Sequence, residues 1–141
     1  MREVFCRKEI LMRKASSFFI LGLFLSSLFT AVSFGQAVDL TGTWRGATEI
    51  PDQGTDEMTL VIKKEGGSYS ATLTDGFGML MDTECKDIEF QDGTLTFNVS
   101  VNTGTESMTV WITMTVDGDT MSGYWETADG TQGNMTLERE K

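Results

Sequence analysis

The stretch 107-SMTVWITMTV-116 decides the fold, because apolar residues occupy every second position, with Trp111 as the one apolar residue among the polar positions. Its apolar side chains fall on one face, which is formed by Met108, Val110, Ile112, Met114 and Val116. The opposite face carries threonines and a single aromatic residue, Trp111. Since side chains of a strand point alternately to its two sides, this period of two predicts a half-buried antiparallel strand.

The same pattern extends through most of the chain after residue 39. Eight strands are predicted, over 40–49, 57–64, 68–74, 85–91, 94–101, 107–116, 119–127 and 131–139. Short links that contain Asp-Gly or Gly-Gly join most of them, as tight hairpins require. The link 75–84 is longer and leaves open a short extra strand. No segment shows the periodicity of a helix.

These strands each have one apolar face, and no helix is available to cover it. The sheet must therefore cover itself, and closure into a barrel also removes its exposed edges. A two-sheet sandwich is the alternative, but its long crossing connections have little room among short hairpins. The sequence predicts an all-β fold, a single eight-stranded antiparallel up-and-down barrel.

A short motif near the start of the predicted barrel adds a resemblance. In 40-LTGTWRGAT-48, Gly42 and Trp44 resemble the Gly-x-Trp signature of lipocalins and related calycin barrels, and Arg139 matches the arginine of their last strand. The chain is similar to the small lipocalin-like secreted domains of bacteria. This resemblance implies that the first and last strands pair, with Arg139 across Trp44 at a closed end. Gly42 and Gly46 are expected to leave room for the indole.

Residues 1–37 are predicted to be a signal peptide, because a basic start precedes an apolar run and then small residues. A second methionine, Met12, is an alternative start. Cleavage fits after Gly35 or after Ala37, and we favour the latter. A retained membrane anchor is the alternative, although polar residues interrupt the apolar run. We expect the domain 38–141 to be secreted or periplasmic, without a stable membrane anchor after cleavage.

The charge is strongly negative beyond the predicted leader. Residues 36–141 hold 6 Lys and Arg against 19 Asp and Glu, a net charge of −13, whereas the whole chain carries −10. That field opposes binding to nucleic acid or to an anionic membrane surface. We interpret the acidity as a source of solubility, with an acidic recognition patch as the alternative.

The chain lacks the usual residues of catalysis. It has no histidine, and the domain holds one cysteine, Cys85, so common hydrolytic triads and zinc sites are unsupported. Acidic turns such as 117–119 are interpreted as hairpins rather than calcium ligands. Cys85 is interpreted as a buried apolar residue, with a reactive thiol as the alternative. We expect no enzyme activity, no cofactor and no metal site.

Ligand binding is the function class that remains. The predicted inner face comprises Met58, Leu60, Ile62, Phe97, Val99, Val110, Ile112, Met114, Trp125 and Leu137, which suits either a filled core or an apolar cavity. The candidate ligand contacts for a small apolar or amphipathic molecule are Phe97, Ile112, Met114 and Trp125. The alternative is a structural or protein-interaction module with a filled core, whose partner would bind the threonine-rich outer face around Trp111.

Overall fold

A computed structural model describes residues 37–141. The signal peptide predicted over 1–37 lies outside the described residues, except for Ala37. Within the described part of the chain, no helix has the length and apolar character needed to cross a membrane.

The described residues form one antiparallel sheet of nine strands, curled into a nearly closed barrel. The strands are β1 Gly42–Ile50, β2 Gly54–Glu65, β3 Ser68–Asp75, β4 Thr83–Glu84, β5 Lys86–Gln91, β6 Thr94–Asn102, β7 Ser107–Asp117, β8 Thr120–Thr127 and β9 Gln132–Arg139. Their order across the sheet is β4-β3-β2-β1-β9-β8-β7-β6-β5. The up-and-down antiparallel barrel is confirmed, whereas the predicted number of eight strands is wrong.

The difference arises where one segment changes its partner. The additional strand, β4, lies within the link 75–84, where the sequence left open a short extra strand. It pairs with β3, and the N–H of Cys85 then donates to the carbonyl of Ala71 at 2.9 Å. From Lys86 onward, β5 pairs with β6 instead. Asp87 has a positive φ of 52°, and the β5–β6 register shifts beside it, as in a β-bulge. Because the chain crosses from β3 to β6 here, both edges of the sheet meet at this segment.

The first and last strands pair in the middle of the sheet. Trp44 lies opposite Arg139, and Thr48 lies opposite Met135. The links β2–β3, β5–β6 and β7–β8 lie at the same end as Trp44, which we call the closed end. The links β1–β2, β3–β4, β6–β7 and β8–β9 lie at the other end, which we call the open end.

The apolar faces of the strands form one core inside the barrel. Of the ten residues predicted on the inner face, eight are buried, while Val110 and Trp125 are partly buried and pack against the others. The period-two alternation therefore predicted the inner face correctly. A shift of one residue would have placed the apolar side chains of each strand on the solvent side.

Two glycines of β1 serve different purposes. A Cβ atom on Gly46 would lie 1.9 Å from the carbonyl oxygen of Thr136, so Gly46 allows the β9 backbone to approach. That differs from the expectation that it makes room for the indole. Gly42 has a φ of 131°, which side-chain-bearing residues rarely adopt.

Candidate ligand-binding site

The closed end is built around Trp44, whose side chain is fully buried. Its indole N–H donates to the carbonyl of Leu40 at 3.0 Å, which satisfies the ring's polar group. The guanidinium carbon of Arg139 lies 4.4 Å from the centroid of the ring. At this distance a cation–π attraction operates.

Arg139 also ties together chain segments that are distant in sequence. Its Nε donates to Oδ1 of Asp119 at 3.0 Å, and its Nη2 donates to the carbonyl of Asp39 at 2.7 Å. Its Nη1 donates to the carbonyl of Thr41. A planar guanidinium suits this role, because it stacks on the indole while its edge donates to several oxygens.

The open half of the barrel contains a cavity of about 350 Å³. Most of its deep wall is apolar and includes Met58, Leu73, Leu80, Val99, Val101 and Ile112. Two further lining residues, Met79 and Met108, are 46% and 36% exposed. The cavity therefore opens to solvent beside the links β3–β4 and β6–β7.

The structure divides the four candidate ligand contacts into two pairs. Ile112 and Trp125 line the cavity. Phe97 and Met114 do not, because each lies two residues nearer the closed end than a lining residue of the same strand, Val99 or Ile112. Alternation along a strand reveals which face a side chain takes, but it does not reveal whether the neighbouring space is filled.

Trp125 is held in the cavity wall by two hydrogen bonds in series. Its indole N–H donates to Oγ1 of Thr48 at 2.8 Å, and the hydroxyl of Thr48 donates to the carbonyl of Asn134 at 2.8 Å. Gly133, opposite Trp125 on β9, leaves space for the ring, since a Cβ there would lie 2.7 Å from the indole nitrogen. The ring is thus fixed before any ligand arrives.

Three polar residues are buried among the described residues, namely Thr48, Asp56 and Thr127, and all three line the cavity. The hydroxyls of Thr48 and Thr127 are hydrogen bonded. Asp56 differs, because its Oδ2 is buried and has no hydrogen-bond partner. A few polar groups in an apolar wall are typical of sites that orient a small molecule.

The environment of Asp56 disfavours its charged form. Burial raises the pKa of this carboxyl, and the nearby charge of Asp75 raises it further. Backbone N–H groups of Gly76, Glu57 and Phe77 act in the opposite direction without cancelling the effect. The side chain is only 3% exposed.

Asp56 is not among the residues predicted from the sequence, although its position in β2 carries a signal. Asp56 has the same parity as Met58, Leu60 and Ile62, so it continues the inner face of β2 by one step. The predicted strand 57–64 starts one residue after Asp56. The strand in fact begins at Gly54.

Other carboxylates near the cavity are already engaged. Oδ1 of Asp75 accepts a hydrogen bond from the N–H of Leu80 at 2.9 Å. Oδ1 of Asp129 accepts from the hydroxyl of Thr127 and from the N–H of Thr131, and these bonds lower the pKa of Asp129. Within residues 37–141, no group of three or more His, Cys, Asp or Glu side chains is arranged to hold a metal ion.

Two residues that the sequence analysis singled out lie away from the cavity lining. Cys85 is buried, and burial raises the pKa of its thiol to about 12, with a smaller contribution from the charge of Glu84. Trp111 lies on the outer face of β7, where it is 43% exposed between Asn98 and Glu126 on the adjacent strands.

No family model matches this chain, and no curated protein or solved structure is significantly similar to it. The nearly closed antiparallel barrel, with its first and last strands paired, is compatible with a calycin-like fold.

Proposed function

We propose that this protein is a secreted or periplasmic lipocalin-like barrel that binds a small apolar or amphipathic molecule and performs no catalysis. One observation carries the proposal: the open half holds a cavity of about 350 Å³ whose largely apolar wall contains buried polar side chains. The ligand enters at the open end and lies against Ile112 and Trp125.

The size and lining of the cavity support this function. Ligand pockets in proteins commonly have volumes of about 300–1,000 Å³, and this cavity falls at the lower end of that range. Met79 and Met108 at the mouth are unbranched and flexible, so they adapt to ligands of different shape. Trp125 supplies a rigid aromatic wall because its indole is anchored through Thr48.

The first experiment is native mass spectrometry of the mature protein recovered from its own secreted fraction. A discrete mass above that of the polypeptide, lost on denaturation, would support the proposal and give the mass of the occupant. In parallel, the purified barrel is titrated with N-phenylnaphthylamine, a neutral apolar dye whose fluorescence rises in dry surroundings. We expect saturable enhancement with one dye per barrel.

A pair of matched variants locates the dye. Val101 lines the cavity, so Val101→Trp should fill part of it and weaken dye binding by about tenfold, the equivalent of a few lost apolar contacts. Val61 does not line the cavity and alternates with the buried Leu60 and Ile62 on β2, so Val61→Trp should leave binding unchanged. Equal effects of both variants, or no saturable enhancement with the wild type, would contradict the proposal.

A second candidate function concerns the outer face. The exposed fraction of Trp111 is 43%, and large apolar side chains exposed among threonines are typical of protein contact sites. Under this alternative, Trp111→Thr abolishes binding of a protein partner and leaves the dye titration unchanged. Under the leading proposal, the same variant retains full ligand binding.

A further inference from the structure

We propose that the ligand is an amphipathic amine, whose protonated nitrogen pairs with Asp56 while its apolar part fills the cavity. This inference rests on the proposed function, and it specifies the chemistry of the ligand's polar end.

The first argument is the unpartnered oxygen of Asp56. A buried polar atom without a hydrogen bond is costly, and a carboxylate oxygen is more costly than a neutral acceptor. Oδ2 of Asp56 is such an atom, on a side chain that is 97% buried and lines the cavity. The missing partner must be a donor, because an ionised carboxylate only accepts.

The second argument is the composition of the open end. Its four links, 51–53, 76–82, 103–106 and 128–131, contain acidic residues and no Lys or Arg. The described part of the chain has two ion pairs, Arg45–Glu140 and Arg139–Asp119. Both lie toward the closed end of the barrel. Among residues 37–141, no Lys or Arg side chain forms an ion pair with Asp56.

A protonated amine satisfies both requirements. Its N–H donates to Oδ2 of Asp56. Its positive charge also neutralises the carboxylate of Asp56, which the nearby charge of Asp75 destabilises. A neutral alcohol donates a hydrogen bond but leaves the charge uncompensated, and a fatty acid adds a third carboxylate. The excess negative charge of the domain also attracts a cation toward the mouth.

The test compares three probes that share one apolar chain and differ in the polar end: octylamine, octanol and octanoate. Calorimetric titration of the full domain at neutral pH should show that octylamine binds at least about tenfold more tightly than octanol, because only the ammonium adds a charge to its hydrogen bond with the carboxylate. Octanoate should bind most weakly. Tighter binding of octanoate would overturn the inference.

Asp56→Asn isolates the contribution of the carboxylate. We expect this variant to bind octylamine no more tightly than octanol, because the charge that favours the ammonium is gone. A cooperative urea-unfolding transition shows that the variant is folded. Asp52→Asn is the matched control, because it removes one charge from the open end at an exposed turn position with a φ of 64°, which asparagine tolerates. The control should retain most of the preference.

The outcomes separate the two proposals. If octanol and octylamine bind equally and Asp56→Asn changes neither, the amine inference is overturned while the ligand-binding function stands. If none of the three probes binds and N-phenylnaphthylamine also fails to bind, both proposals are overturned.

Discussion

Arg139 stacks over Trp44, with its guanidinium carbon 4.4 Å from the ring centroid, although the two residues lie on the last and first strands. The contact closes one end of the barrel with a charged residue rather than an apolar one. The guanidinium is accommodated because its edge donates to Asp119 and to the carbonyls of Asp39 and Thr41.

Arg139→Lys should therefore lower the free energy of unfolding although it keeps the charge. An ammonium neither stacks flat on the indole nor donates in the same plane, and we expect a loss of about 1–2 kcal/mol in urea unfolding. Arg45→Lys is the control, because Arg45 is 64% exposed and pairs only with Glu140 at the surface. That change should stay within about 0.5 kcal/mol; equal losses would contradict the importance of the stacking.

Thr48→Val should destabilise the cavity wall. The variant leaves the indole N–H of Trp125 without its acceptor and the carbonyl of Asn134 without its donor, at a cost of about 1–3 kcal/mol. Thr136→Val, at an exposed position of β9, makes the same chemical change where no such bonds are lost. Urea unfolding of both variants checks the difference, and a Thr48 variant as stable as the control would refute the anchoring role.

Cys85 should be unreactive in the folded protein. Because burial raises the pKa of its thiol to about 12, almost no thiolate forms at neutral pH, and the thiolate is the reactive species. Iodoacetamide should label the unfolded chain fully in urea and leave the native protein unlabelled over the same time, as followed by mass spectrometry. Labelling of the native protein at the unfolded rate would show that the thiol is accessible.

Asp56→Asn should stabilise the ligand-free protein, and by more as the pH rises. The pKa of Asp56 is raised in the folded state, so the native protein binds this proton more tightly than the unfolded chain does. Protonation of Asp56 stabilises the fold fully below the ordinary carboxyl pKa of 3.8. This stabilisation is lost as the pH rises through the raised pKa of Asp56 in the folded protein.

Comparing the variant with the wild type separates the contribution of Asp56 to the pH dependence of stability from the contributions of the other carboxyl groups. Asp39 and Asp129 have lowered pKa values and act in the opposite sense, but they are the same in both proteins. Urea unfolding near pH 3.8 should show similar stabilities, and at neutral pH the Asn variant should be the more stable. A stability difference that shrinks with rising pH would contradict the assignment.

The sequence predicted the barrel well because its strands are half-buried. Alternation of burial is strict in β6, and the buried residues Phe97, Val99 and Ile112 lie on the predicted face. The strand count was wrong because pairing partners are a long-range property. Nothing local in the segment 83–91 indicates that it leaves β3 for β6 at Cys85.

The candidate site was predicted less well than the fold. Ile112 and Trp125 line the cavity, while Phe97 and Met114 are packed in the core. The alternation predicts whether a side chain points inward, but it does not predict how far along the barrel axis the cavity extends. Asp56 was overlooked because an apolar pattern penalises a carboxylate at an inner position. A buried polar residue that continues an apolar face is the signal that could have found it.

The central position of β9 determines how the chain can assemble. With β9 absent, the remaining order divides into β4-β3-β2-β1 and β8-β7-β6-β5, two sheets without a shared ladder. The strand that joins them is β9, whose pairing with β1 closes the longest loop between neighbouring strands of this sheet. Closing so long a loop costs conformational entropy and slows folding. Until β9 docks, Trp44 has no arginine over its ring, and the strands form two meanders that share no hydrogen-bonded ladder.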